Sequence, residues 1–277
     1  MTAPRPAGPA TGRLARRRSF RIGVPITRPR FLAIAAIVFL ALGAVWWAVT
    51  AFGWVTPIFL PSPDSVAAQL VKLAGDGTLW VDLKASVYRI SVGFLIASAL
   101  AIPIGVLIGS FADWEAAIEP LVDFVRYMPV VAFVPLSILW VGTGDAQKFL
   151  IIFIGTFFQQ VLMFMDNVKR VPKDFVGLGR TLGLSDMLIL TRIVVPSAMP
   201  GIWDTLRISL GWAWTWLVLA ELVAATSGLG YRITVSQRYF QTNTIIGYIL
   251  LLGVLGLITD QVMKGLGKVL FRNDSGM

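Results

Sequence analysis

Apolar residues in this chain come in long unbroken runs rather than at strand or amphipathic-helix intervals. Windows without Asp, Glu, Lys or Arg cover 31–63, 90–112, 127–144, 149–165 and 239–259. A helix crossing the hydrocarbon core needs roughly 20 mainly apolar residues, so each window seeds one membrane span. Pro57, Pro61 and Pro63 in the first window end its helix near Phe52, because proline lacks the N–H that a helix interior needs. A sixth span is predicted over 202–226, where Asp204, Arg207 and Glu221 must sit near the helix ends or face other protein. Between the first two spans, Ser62-Pro63-Asp64-Ser65 reads as a helix start, with a capping Ser and Pro at the first helical position. Val66, Leu70 and Leu73 follow on one face, predicting a short helix on the outer surface. Gly105 and Gly109 stand four apart, a spacing that lets helix backbones approach closely and predicts tight packing inside the bundle.

Composition agrees. The 277 residues are 56% hydrophobic and 14% charged, against about a quarter charged in a soluble domain. The fold class is therefore an all-α integral membrane protein with about six transmembrane helices. Cysteine and histidine are absent, which excludes disulfides, thiolate nucleophiles, histidine bases and the common zinc sites; no metal or cofactor is expected on this chain.

The net charge of +9 is confined to one end. Arg5, Arg13, Arg16, Arg17, Arg18, Arg21, Arg28 and Arg30 precede the first window with no acidic residue among them. The remaining sixteen basic residues nearly balance fifteen acidic ones. A basic arm before an apolar run is a cytoplasmic anchor under the positive-inside rule, a better reading than a nucleic-acid arm. The run is also longer than a signal-peptide core and carries Trp46 and Trp47. The organisation expected is a disordered cytoplasmic arm over 1–30, a transmembrane domain over 31–262 and a cytoplasmic tail over 263–277. Six spans place both termini inside. The connection 167–200 then lies in the cytoplasm, with Lys169, Arg170, Lys173, Arg180 and Arg192 against Asp174 and Asp186. The 111–119 connection puts Asp113, Glu115 and Glu119 on the same side without a basic partner, a departure that acidic residues make at little cost.

ATP hydrolysis within the chain would need a phosphate loop ending Gly-Lys-Ser/Thr, but the one Gly-Lys pair, Gly267-Lys268, is followed by Val269. Gly177-Leu178-Gly179-Arg180-Thr181-Leu182-Gly183 has glycines like those of a dinucleotide loop, with the third one residue late and no preceding strand. The segment instead reads as a helix, a turn at Gly183, a second helix opened by Ser185, and a stop at Pro196.

Arg180-Thr181-Leu182-Gly183-Leu184-Ser185, followed by Ile193-Val194-Val195-Pro196-Ser197-Ala198-Met199-Pro200-Gly201-Ile202, resembles the "EAA" loop of bacterial ABC importer permeases. Leu60-Pro61-Ser62-Pro63, then Arg126 with Pro129, Pro135 and Leu139-Trp140-Val141-Gly142, then Ser227-Gly228-Leu229-Gly230-Tyr231 with Phe240-Gln241-Thr242, resemble the nitrate/sulfonate/bicarbonate/taurine branch. The resemblance covers about 54–262 and implies a type I importer permease fold whose coupling helix docks on a separate ATP-binding subunit. It implies a permease subunit of an ATP-driven importer in the bacterial inner membrane, passing a small anion such as a sulfonate, taurine, nitrate or bicarbonate by alternating access. The implied partners are a second copy, two ATP-binding subunits and an external solute-binding protein. Glu-Ala-Ala is replaced here by Gly177-Leu178-Gly179, and two glycines cost a helix roughly 2 kcal/mol relative to alanines. A pyrimidine-type precursor is the alternative solute. A self-sufficient secondary transporter or channel is the alternative class, predicting inverted repeats that the sequence does not display.

Arg207, Gly211, Trp214, Val218 and Glu221 recur at three- and four-residue steps on one stripe of the fifth span. A stripe of charge, aromatic and small residues does not suit lipid, which makes them candidate pathway residues. The other reading sends Arg207 to the cytoplasmic headgroups and Glu221 to the outer interface. Arg126, placed about eight residues into the third span, is the sixth candidate, for attracting an anion or pairing with a carboxylate.

Overall fold

The computed structural model describes residues 26–271; the expectations for residues 1–25 and for the end of the tail at 272–277 lie outside the described residues. Among those described, the secondary structure is entirely helical. α1 (Arg28–Ala51) is apolar on every side and buries no residue, as a helix bathed in lipid does. It is tied to the bundle near its end, where Trp46 Nε1 donates to the Pro61 carbonyl at 3.0 Å. α2 (Pro63–Gly75) follows as a short amphipathic helix. Ser62 occupies the N-cap position, yet its hydroxyl makes no capping bond. Val66 is buried and Leu70 packs against the core, so the stripe read from sequence is the face that meets α11.

α3 (Thr78–Ser110) and α6 (Asp145–Lys169) form the central pair. Their approach is set by glycines: a Cβ at Gly105 would stand 2.8 Å from the Val161 carbonyl, and one at Gly109 would stand 2.8 Å from Val168 Cβ. This GxxxG surface is spent inside the protomer. α9 (Val195–Ala224) lies along the pair, and α11 (Thr242–Leu270) lies along α9. A buried seam of Ala101, Ile108, Val161, Phe164 and Ile202 fills one half of the core, and Ile90, Ile152, Ala213, Leu217 and Tyr248 fill the other.

Three expectations change. The window 127–144 does not form an intact span: it holds only a 3-10 turn (Val130–Ala132) and α5 (Phe133–Val141), and the charged α4 (Ala112–Arg126) supplies the other half, bent by 78°. Pro129 is the cause, since it removes a donor and pushes Met128 out of helical geometry. The result is five uninterrupted spans, or six with the bent pair. Arg126 is accordingly the last residue of α4, at the bend.

Pro196 does not stop a helix. α7 (Lys173–Thr181) and α8 (Asp186–Ile189) lead through a π-helical turn, Leu190–Val194, straight into α9. The wide turn accommodates the ring that would clash with the carbonyl four residues back. Glu115 does have a basic partner: Lys169 Nζ is 2.9 Å away across α4 and α6, a contact distant in sequence.

The bundle has two distinct ends. α2, α10 (Leu229–Arg238) and the starts of α3, α6 and α11 gather at one. α7, α8 and the end of α11 gather at the other, where Trp203 Nε1 donates to the Met263 carbonyl at 2.9 Å.

Candidate functional site

At the α7–α8 end the chain builds a two-helix knob. α7 closes with paired backbone bonds, Gly183 N to Arg180 O at 3.0 Å and Leu184 N to Gly179 O at 3.1 Å, the Schellman arrangement. Gly183 has φ +74, a left-handed conformation that glycine alone adopts freely. Ser185 then caps α8, its hydroxyl accepting from Leu188 N. The glycines that replace Glu-Ala-Ala differ in role. Gly177 has open space around it, whereas a Cβ at Gly179 would come within 2.9 Å of Ile189 Cγ1 and 3.0 Å of Ile193 Cδ1. Gly179 thus lets α7 seat on α8 and the π turn.

Phe175 and Leu178 on the outside of α7 and Leu182 just after its end lie at helical spacing and are exposed, as is Met187 on α8. Arg180 and Asp186 face one another at 3.8 Å, largely in solvent, and Thr181 bonds the Leu178 carbonyl. Leu184 packs into the core beneath. Pro196 lies in the first turn of α9. The candidate coupling residues therefore form one contiguous unit with an apolar outer face, joined rigidly to a membrane span.

The opposite end holds a buried polar cluster. Glu221 accepts from Ser86 Oγ at 2.8 Å, Arg89 Nη1 at 2.8 Å and Gly230 N at 2.9 Å. Arg89 Nε also bonds Asp145 at 2.7 Å. Asp82 accepts from Gly228 N at 3.0 Å, Tyr248 Oη at 3.0 Å and Arg232 Nε at 2.8 Å. Burial opposes the Arg232 cation, but the Asp82 carboxylate outweighs it and holds the guanidinium above its usual range. Leu229 N donates to Ser86 Oγ at 2.8 Å, so three successive backbone donors of the α9–α10 link are tied to side chains. Gly228 is required twice over: its φ is +120, and a Cβ there would overlap the Glu221 carboxylate. Lys148 Nζ bonds the carbonyls of Thr143 and Ala224, closing the end of α9. Midway along the bundle Gln160 links Ser98 and Ser209 across three helices, the polar glue of membrane helices.

The α9 stripe is not one surface. Trp214 is buried and donates to Thr259 on α11 at 3.3 Å. Val218 backs against Gly230, and Glu221 lies in the polar cluster. Arg207 sits 3.5 Å from Asp204 on its own helix and 3.7 Å from Asp260 on α11. Gly211 alone opens outward, with nothing within 4 Å of a Cβ.

Arg126 is brought together with other residues of α9. A cavity of about 620 Å³ between the α4–α5 bend, α6 and α9 is lined by Arg126, Tyr127, Phe158, Gln159, Trp212 and Trp216. Trp216 lies against Gly155, where any Cβ would overlap the indole. Arg126 Nε pairs with Asp123 at 2.8 Å, and Nη2 bonds Tyr127 Oη at 2.9 Å.

Residues 101–271 match the family described as binding-protein-dependent transport system inner membrane component. A probable ABC transporter permease of Brucella melitensis is 37% identical over 219 residues, 79% of this chain and 88% of that protein. The chain belongs to the ABC transporter permeases. Within this family it is 31% identical over 249 residues to the taurine transport system permease TauC of Escherichia coli, 88% of this chain and 90% of that one. The permease is a multi-pass inner-membrane component of an ABC transporter. Its fold is that of the solved inward-facing MetNI methionine transporter, matched with TM-score 0.61 at 19% identity over 68% of this chain and 94% of that one.

Sequence reasoning passed over Arg89, Asp145, Trp212 and Trp216. Asp82, Ser86 and Arg89 stand at i, i+4 and i+7, a polar helical stripe that was open to detection. The partnership with Glu221 and the loop amides has no local signal.

Proposed function

We propose that the permease is the translocation-pathway subunit of an ATP-driven importer for a small anion of the sulfonate type. It works by alternating access, as a homodimer with two separate ATP-binding subunits and an external solute-binding protein, with both termini cytoplasmic. The observation that carries this reading is the knob at one end of the bundle. Its exposed apolar face, Phe175, Leu178, Leu182 and Met187, is a protein-docking surface rather than a solvated loop, and it continues through the π turn into α9. A push on the knob is thereby delivered to a pore helix as rigid motion. The taurine permease among its relatives favours sulfonates, and Arg126 in the cavity wall favours an anion.

The test is co-expression with the cognate ATP-binding and solute-binding proteins. The three should purify as one complex with ATP-dependent uptake of taurine or an alkanesulfonate in proteoliposomes. Leu178→Asp with Leu182→Asp should abolish association while the chain still inserts. Uptake by the permease alone, independent of ATP, would replace this reading with a self-sufficient transporter.

A further inference from the structure

We infer that the cavity at the α4–α5 bend is a transit subsite for an organic anion with an apolar body, an alkyl or aryl sulfonate or carboxylate, and not for a bare inorganic anion. The inference rests on the import reading above and adds to it where the solute pauses and what shape it has.

Size is the first argument. About 620 Å³ falls within the range of pockets that enclose small organic molecules, far more room than a nitrate or bicarbonate fills. The distribution of chemistry is the second. Trp212 and Trp216 are four apart on α9 and so share a face, and Phe158 of α6 lines the same cavity. Polar groups also contribute: the Arg126 guanidinium, the Tyr127 hydroxyl and the Gln159 amide. An inorganic anion would leave the aromatic walls facing water; a sulfonate or carboxylate bearing a short apolar chain uses both kinds of wall.

The built detail at Gly155 is the third argument. Absence of a side chain there admits the Trp216 indole flat against α6, and this sets one wall of the space.

Arg126 is also tuned. Its bonds to Asp123 and Tyr127 occupy Nε and Nη2, which leaves Nη1 for a visiting oxyanion. Asp123, 2.8 Å from Nε, offsets part of the positive charge. A site on a pathway must bind well enough to admit a solute and weakly enough to release it, and a guanidinium paired with a carboxylate on α4 meets both demands.

The experiment uses the full chain in lipid nanodiscs, tryptophan emission as readout, and hexanesulfonate, nitrate and hexanol as probes. Hexanesulfonate should give a saturable change, and the other two should give none over the same range. Arg126→Gln should raise the half-saturation concentration about tenfold, the loss of one hydrogen bond to a charged group. Asp123→Asn should lower it. Opposite movement in two neighbouring variants is a signature that a folding defect does not produce. Saturation by hexanol at the same concentration would make the cavity a general apolar groove and overturn the inference. So would competition by nitrate as strong as by hexanesulfonate, or no change in Arg126→Gln. Association with the ATP-binding subunit, scored on the same preparations, separates the two levels. A permease that associates but gives no hexanesulfonate response loses the subsite alone. One that does not associate loses the import reading and the transit role together.

Discussion

A carboxylate inside a membrane bundle persists only where every oxygen is met, because an unpaired charge at bilayer depth costs at least about 3 kcal/mol. Glu221 satisfies that condition with Ser86, Arg89 and Gly230. Replacing it with leucine removes the charge and leaves Arg89 with Asp145 as its one carboxylate partner, so the expected result is a destabilisation of about 2–3 kcal/mol, the loss of hydrogen bonds between charged groups. Arg89→Met should cost more, about 3–5 kcal/mol, because Glu221 keeps the donors Ser86 and Gly230 but loses its cation. The double variant should recover part of both losses. Thermal unfolding of the four proteins in one detergent, read as a double-mutant cycle, checks this; additive losses would show that the two groups do not depend on each other. The sequence marked Arg207 and Glu221 as charges that must sit near a helix end or face other protein, and the structure supplies separate partners for each. Which partner was illegible, because counting charge-free windows treats Arg89 as the boundary of a span. Trp212 and Trp216 were passed over for a similar reason. Seven-residue spacing picks out Trp214 on one stripe, but nothing in a single helix says which stripe meets α11 and which meets the cavity.

Among the elements, the spans themselves were plain, since hydrocarbon thickness sets a length that any apolar run must meet. Breaks within them were not. Pro129 bends the third span and Pro196 leaves the fifth continuous, although both are prolines next to apolar runs. The difference lies in what absorbs the missing bond: the π turn does so before α9, whereas the α4–α5 junction has no equivalent. The knob was legible in outline because glycine, serine and arginine fall at turn and cap positions. Gly183→Pro is expected to break it, since proline fixes φ near −65 where the chain needs +74 and removes the N–H that bonds Arg180. Gly183→Ala should be milder, about 1–2 kcal/mol for the left-handed backbone. In reconstituted complexes the Pro variant should hydrolyse ATP without matching uptake; normal coupling would show that the turn does not transmit force.

At the scale of the molecule, basic residues collect with the knob: Lys169, Arg170, Lys173, Arg180 and Arg192, joined by Lys264 and Lys268 of α11. α1 reaches α2 near its carboxyl end and is about 36 Å long at 1.5 Å per residue over 24 residues, so its start belongs at the same end as the knob. A reporter active only outside the cytoplasm should give no signal when fused to either terminus. A signal at the carboxyl terminus would overturn this topology, because α3 and α6 run parallel and α4–α5 joins their opposite ends. The far end of the bundle has a different consequence. Its cluster joins three formal cations, Arg89, Lys148 and Arg232, with three formal anions, Asp82, Asp145 and Glu221. Moving one net charge through the membrane potential takes about 2.3 kcal/mol per 100 mV, but an assembly with no net charge does no electrical work when it shifts. Movement of that cluster as a unit would therefore be blind to the voltage across the membrane.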